Sequence, residues 1–421
     1  MAAAGLIFWV SGGPRWILHG FARTKFEQRD YEAAERLLNW CNDFAIPDGE
    51  TFFLEARLRR KQLQVSDVPK LLQKAADRGF DKERLKLEYM LLEAQTGRLQ
   101  SVATELNQRL QTDSTDGREI CEAYVNGSLM LGSYAAAQTI FDAWETEYPD
   151  DPQPHYLRSR IYEHQQNMTK ATEQLLTALS KNVRHWPTRY ALSRIAFDQN
   201  KFDEGLSQIE SATMMKHNAA PMYQKARCLR GKAQLDEASQ ILREIANRPR
   251  AEVLKSFALV AQPERGYPIE YELGLIESAL NNHQEAVRWL DLVLEHEPNH
   301  LDARYARALS LREVGESEKA ESELKEVNRV RNMLLEVDRL VDLINESPDE
   351  PHVEARCRIG ELLLKYKDAR QGEYWLHDAL NHDPNHIPAH QFLLEYYEKL
   401  AKTNPEWSAV ADEHRRRTGV Q

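Results

Sequence analysis

Four stretches of the chain share one punctuation: Gly132-Ser133-Tyr134 to Pro149, Asn281 to Pro298, Gly315 to Ala320, and Lys367 to Pro384. In each, a small residue or turn falls near the middle of a unit of about 34 residues. An Ala or Gly follows about five positions later, and in three of them a Pro closes the unit. A fixed period of roughly 20–50 residues means a helix-turn-helix unit stacked on copies of itself, not one globular core. Such arrays present long grooves to partners, which points toward binding before any side chain is considered.

The rest of the chain agrees with helices. Of 421 residues, 42 % are hydrophobic and 29 % charged, enough apolar material for a continuous core under a solvated surface. Period-two runs of Val, Ile and Thr are absent, while Leu, Ala, Glu, Arg and Lys dominate. Cys41, Cys121, Cys228 and Cys357 lie more than 75 residues apart, with neither metal-ligand nor redox spacing. Each sits in an apolar-periodic segment and reads as a small buried hydrophobe, so the cysteines leave the compartment open.

The net charge of −11 is unevenly placed. Residues Pro152 to Arg250 hold 9 acidic and 16 basic side chains, a net of +7; Glu264 to Glu350 hold 21 and 10, a net of −11. A basic block beside an acidic block suggests two different surfaces, the alternative being ordinary solvated helix faces.

Ala2 to Val10 (AAAGLIFWV) is apolar, but at about 1.5 Å per residue it covers only half of a ~30 Å hydrocarbon core. Ser11-Gly12-Gly13-Pro14 breaks it, and no basic stretch precedes it as a secretory signal requires. Three readings stand: the tail of a membrane anchor with its upstream part missing, a hydrophobic plug on the first repeat, or a signal remnant. Trp9 and Trp16 flanking the break, with Arg15, Arg23 and Lys25 after it, lean toward membrane contact.

Aligned on the mid-unit turn, the chain divides into about eleven helical pairs starting near Arg15, Gly49, Glu83, Arg118, Pro152, Trp186, Ala219, Tyr267, Leu301, Val353 and Ile387. The clearest are GSYAAAQTIFDAWETEYPDD (132–151), YELGLIESALNNHQEAVRWLDLVLEHEPNH (271–300) and RIGELLLKYKDARQGEYWLHDALNHDPNH (358–386). These residues resemble the tetratricopeptide repeat (TPR) family of bacterial-type multi-repeat proteins. The family's small residue at unit position 8 matches Gly274, Ala308 and Gly360, and that at position 20 matches Ala137, Ala171, Ala238, Ala286 and Ala320. Its closing Pro matches Pro149, Pro298 and Pro384. Small residues let the helices of a pair approach closely, and Pro ends the second helix.

The resemblance covers roughly residues 15–410 and implies an all-α, right-handed α-α superhelical solenoid of about 10–11 TPR-like helix pairs. The second, third and sixth units depart from the pattern, with Val68 and Val102 at position 20 of the first two. The expected organisation is a hydrophobic N-terminal segment at 1–14, units one to seven at 15–252, an insertion at 253–266, and units eight and nine at 267–334. A helical insertion at 335–352 follows, stopped by Ser347-Pro348, and then unit ten, a partial unit eleven and a polar cap at 353–421.

Three consecutive units carry Tyr and Arg at i, i+4, hence on one helical face: Tyr156–Arg160, Tyr190–Arg194 and Tyr223–Arg227. Phe53–Arg57 is a related pair. Stacking predicts an aromatic rail beside a guanidinium rail, and the guanidinium fork suits planar carboxylates. The resemblance places these helices on the inner, ligand-facing wall. Against this, Tyr at position 5 is common in the family and continues at Tyr271 and Tyr305, so part of the column is architecture.

His377, His382, His386 and His390 do not predict a metal site, because His-x-Pro-Asn-His recurs at 296–300 and 382–386 as an inter-unit turn. Trp144, Trp289 and Trp375 fall in second helices and read as packing. No phosphate loop, serine elbow, HExxH or paired-Cys spacing occurs, and repeats use up almost the whole chain. The expectation is a non-enzymatic, cofactor-free, protein-protein interaction scaffold. Its concave groove takes a peptide or protein segment, acidic or carboxylate-bearing. Neither nucleic acid nor a small-molecule substrate is expected. The alternative is a membrane-tethered assembly factor for a bilayer-associated complex, held through residues 1–10. Localisation follows that choice: membrane-associated with an anchor, cytoplasmic without one.

Overall fold

The computed structural model describes residues 15–44, 47–112, 116–131, 133–211, 218–260, 268–347, 349–367, 369–402 and 404–419. The apolar segment 1–14, the Gly132 turn, residues 261–266 of the expected insertion, and Pro348 lie outside them. The chain forms two compact units, Met1–Arg265 and Gly266–Gln421, and among the described residues both are all-α.

The first unit contains α1 (Arg15–Glu27), α2 (Tyr31–Phe44), α3 (Gly49–Lys61), α4 (Val68–Asp77), α5 (Lys82–Gln95), α6 (Leu99–Thr112), α7 (Gly117–Met130) and α8 (Tyr134–Glu147). It continues with α9 (Gln153–His164), α10 (Met168–Lys181), α11 (Trp186–Asp198), α12 (Phe202–Glu210), α13 (Ala219–Gly231), α14 (Leu235–Ala246) and α15 (Arg250–Leu259). The second contains α16 (Pro268–Ala279), α17 (His283–His296), α18 (Leu301–Val314), α19 (Ser317–Glu346), α20 (Val353–Tyr366), α21 (Ala369–His382), α22 (Ile387–Ala401) and α23 (Ser408–Thr418).

Helices pack in consecutive pairs, and each first helix also meets its neighbours in the stack. This is the tandem helix-pair stacking that the repeat period predicts, and the small residues explain it. Ala137, Ala171, Ala238 and Ala286 have no exposed surface. A Cβ on Gly274 would come within 2.6 Å of Leu290 Cγ, and one on Gly360 within 2.6 Å of Leu376 Cγ. Glycine there lets two fully buried leucines close the pair, each leucine contributing about 1.5–3 kcal/mol of burial. Gly205 on α12 instead admits the next pair, since an added Cβ would come within 2.8 Å of Cys228 Sγ on α13. Side chains also open several helices: Asp48 accepts from Thr51 N, Asp81 from Arg84 N and Asn167 from Lys170 N.

Two elements break the period. α19 runs unbroken for 30 residues, so the stretch expected as a helical insertion continues the second helix of the ninth pair. Its added turns are held by Val337 and Ile344, which pack on Ile359, Leu362 and Leu363 of α20. α15 packs on α13, as the first helix of a further pair would. Its distal end, however, reaches back to the N-terminal helices: Leu259 joins the core formed by Phe26, Tyr31, Phe53 and Leu54, and Lys255 Nζ lies 2.8 Å from Glu35 of α2.

Candidate functional site

The first helices α3, α7, α9, α11 and α13 of the first unit carry the candidate residues on their i, i+3, i+4 faces. The predicted Tyr/Arg pairs lie there. Tyr156 is 3 % exposed and donates its hydroxyl to Val260 O at 2.8 Å; burial pushes that hydroxyl up to about 12. Tyr190 is also buried, while half-buried Tyr223 meets the edge of Phe257 of α15 at 5.4 Å. Two of the three tyrosines therefore face the chain's own α15 segment. Phe53 stacks on Phe80 at 4.5 Å, and Arg57 donates to Glu119 at 3.2 Å.

The arginines form a graded series. Arg194 pairs with Glu163 and, at 3.7 Å, with Asp198. Arg227 lies 3.9 Å from the same Asp198 and 4.1 Å above the Phe197 ring. Arg160, half-buried on α9, has no ion pair or hydrogen bond among the described residues. Arg194 and Arg227 thus pair with Glu163 and Asp198, while Arg160 meets no carboxylate among the described residues.

Beside this series lies a charged cluster that sequence reasoning missed. Arg29, Arg57, Arg60 and Lys61 face Glu88, Glu119, Glu122 and Asp151. Arg60 is completely buried, with its Nε 2.5 Å from Glu88 and an Nη 2.8 Å from Glu119. Lys61 Nζ lies 2.7 Å from both Glu119 and Glu122. Burial would raise the Glu122 carboxyl, but Arg29 and Lys61 outweigh it and hold it at about 2. Burial likewise works against charge on Lys61, yet Glu119 and Glu122 keep its pKa above the usual range. Four cations balance four carboxylates, as largely buried charges must.

The network ends in buried His185. Gln153 donates its amide to Glu122 at 2.9 Å, so its carbonyl faces His185 Nε2 at 3.2 Å, which must donate. His185 Nδ1 then accepts from the Thr188 hydroxyl at 2.7 Å. Burial, reinforced by Arg29, lowers this imidazole to about 3, so it is neutral at physiological pH. The available signal was in the spacing: Arg57, Arg60 and Lys61 share one face of α3, and Glu119 and Glu122 share one face of α7.

Between the two sets of charges is a cavity of about 340 Å³. First helices α3, α5, α7, α9 and α11 line it, together with the Arg29–Tyr31 turn and the Ala258–Leu259 end of α15. Among the described residues no group of three His, Cys, Asp or Glu side chains is placed to hold a metal ion. Near the C-terminus, His390 Nδ1 and His414 Nδ1 lie 2.8 Å apart, and His390 Nε2 donates to Pro384 O. No described helix is long and apolar enough to cross a membrane.

No protein-family model matches the chain, and no curated protein does. Among solved structures it is similar to YrrB, a tetratricopeptide protein with an unusual peptide-binding site: 16 % identity over 52 % of this chain and 96 % of that one, TM-score 0.29. It is similar to PilF of Pseudomonas aeruginosa at 13 % identity, over 50 % of this chain and 90 % of that one, TM-score 0.40. The Cut9–Hcn1 complex matches at 12 % identity over 89 % of this chain and 82 % of that one, TM-score 0.37.

Proposed function

We propose that this chain of tetratricopeptide-type helix pairs is a non-enzymatic protein-interaction scaffold. In this reading the inner wall of its first unit, at Tyr156–Arg160, Tyr190–Arg194 and Tyr223–Arg227, engages a partner segment carrying carboxylates. The observation that carries the reading is the uneven pairing of the three arginines: Arg194 and Arg227 meet Glu163 and Asp198, and Arg160 meets no carboxylate among the described residues. An acidic side chain would complete the series, and a guanidinium binds it through two parallel hydrogen bonds. Arg194 and Arg227, already engaged, would act by exchanging Glu163 and Asp198 for the partner's carboxylates.

The test is capture of acidic against neutral peptides by the full chain, at low and high salt. Arg160→Glu should abolish acidic selectivity without breaking any internal ion pair. Adding Arg194→Glu and Arg227→Glu should remove the remaining binding. Undiminished acidic capture by the triple variant, with helix content intact, would rule out this wall as the binding surface.

A second reading, a membrane-tethered assembly factor, is favoured by one observation. Trp16 is 70 % and Phe21 59 % exposed on α1, next to the apolar residues 1–10. Exposed aromatic side chains of this kind suit a bilayer interface. Recovery of the full chain wholly in the soluble fraction of its native cells would exclude it.

A further inference from the structure

The cavity of the first unit has a donor set that the charged network does not use. Its charged and amide groups Arg29, Lys61, Glu122, Gln153 and Gln95 are all internally paired. Four other polar lining residues are not, Tyr31 with its phenol hydroxyl among them. Arg160 of α9, Asn126 of α7 and Trp186 of α11 make no hydrogen bond or ion pair among the described residues. A guanidinium, a carboxamide and an indole N–H, from three different helices, thus line one cavity with their donors unmet.

The remaining lining restricts what those donors can hold. Leu63, Leu129, Met130, Leu157, Pro187 and Leu259 supply apolar surface. One uncompensated cation balances one negative charge, so a phosphate dianion would leave a charge unpaired beside apolar walls. The volume is near the small end of ligand pockets. The roof is also tied down: Arg29 bonds Glu122 at 2.9 Å, and Tyr156 holds Val260 O at 2.8 Å.

We propose that this cavity is a binding site for a small monocarboxylate: one carboxylate on Arg160, Asn126 and Trp186, and a short apolar body against the leucines. The site is independent of the scaffold reading. The two share Arg160, but Asn126 and Trp186 belong to the cavity alone, and Arg194 and Arg227 to the wall alone.

The experiment is calorimetric titration of the full chain with hexanoate and with hexanamide, which differ in charge but hardly in size. Hexanoate should bind at least tenfold more tightly than the amide. Arg160→Gln should abolish that preference, and Asn126→Leu and Trp186→Phe should each weaken hexanoate several-fold. Arg194→Gln with Arg227→Gln should leave hexanoate binding unchanged. A ten-residue peptide with a free C-terminal leucine separates the two sources of such a group. If it binds no better than hexanoate the ligand is a free acid, and if it binds tenfold better the carboxylate is a chain end entering the same site. No binding of hexanoate, equal binding of the amide, or an unaltered Arg160→Gln variant with native helix content overturns the proposal. No acidic-peptide capture by the unaltered chain, with hexanoate binding intact, would overturn the scaffold reading alone.

Discussion

Tyr156 donates its hydroxyl hydrogen to the carbonyl of Val260, 104 residues further along the chain, at 2.8 Å. The bond fixes the end of α15, where Leu259 enters the N-terminal core, against α9. Tyr156→Phe keeps the ring packing and leaves that carbonyl without its donor, a cost of about 1–3 kcal/mol where water cannot replace it. Hydrogen exchange should then accelerate across residues 250–260 and stay unchanged in α11. Equal protection of residues 250–260 in both proteins would show that the bond does not hold the segment.

Arg60 should be the least replaceable residue of the charged cluster. It is completely buried and bonds both Glu88 and Glu119, and Glu88 is itself only 3 % exposed. Arg60→Met strands a buried carboxylate and should cost about 3–5 kcal/mol in urea denaturation. Replacing Glu88 by Leu in the same protein removes the stranded charge, so the double variant should be more stable than Arg60→Met alone. A double variant less stable than the single one would mean that Glu88 is not held by Arg60.

The repeat period and its small residues were legible because they are local. Position-8 residues act within one pair, so Gly274 and Leu290, 16 residues apart, announce their contact in sequence. The Tyr/Arg series was legible for the same reason, its members sharing one helical face. The charged cluster was not, because Arg60 and Glu119 are 59 residues apart and meet only once the pairs have stacked. α15 was harder still. Its residues read as an interruption of the period, and only tertiary structure brings Lys255 to Glu35, 220 positions earlier.

Acid should destabilise the first unit through His185 before it acts on the carboxylates. Burial, with Arg29, lowers His185 from 6.5 to about 3, so the unfolded chain takes up a proton that the folded chain refuses. The stabilisation is complete above about pH 6.5 and is lost as pH falls toward 3, at roughly 1.4 kcal/mol per pH unit. Glu122, held at about 2, adds a second loss only below its unfolded value of 4.5. Between pH 6.5 and 5, urea denaturation should therefore show a drop of about 2 kcal/mol that is missing from His185→Gln. Parallel slopes for the two proteins would mean that His185 is not the group responsible.

Two glycines separate close packing from mere flexibility. Gly274 faces Leu290 at a would-be Cβ distance of 2.6 Å, and both helices of that pair are committed to their neighbours. Gly274→Ala should force the pair apart and destabilise the second unit by about 1–3 kcal/mol, the usual cost of overpacking. Gly20, inside α1, has nothing within 4 Å of an added Cβ. Gly20→Ala should instead stabilise by roughly 0.5–1 kcal/mol, by reducing the freedom of the unfolded chain. Thermal or urea unfolding of both variants reads the opposite signs directly. If Gly274→Ala proved as harmless as Gly20→Ala, close approach would not be why the eighth pair carries glycine there.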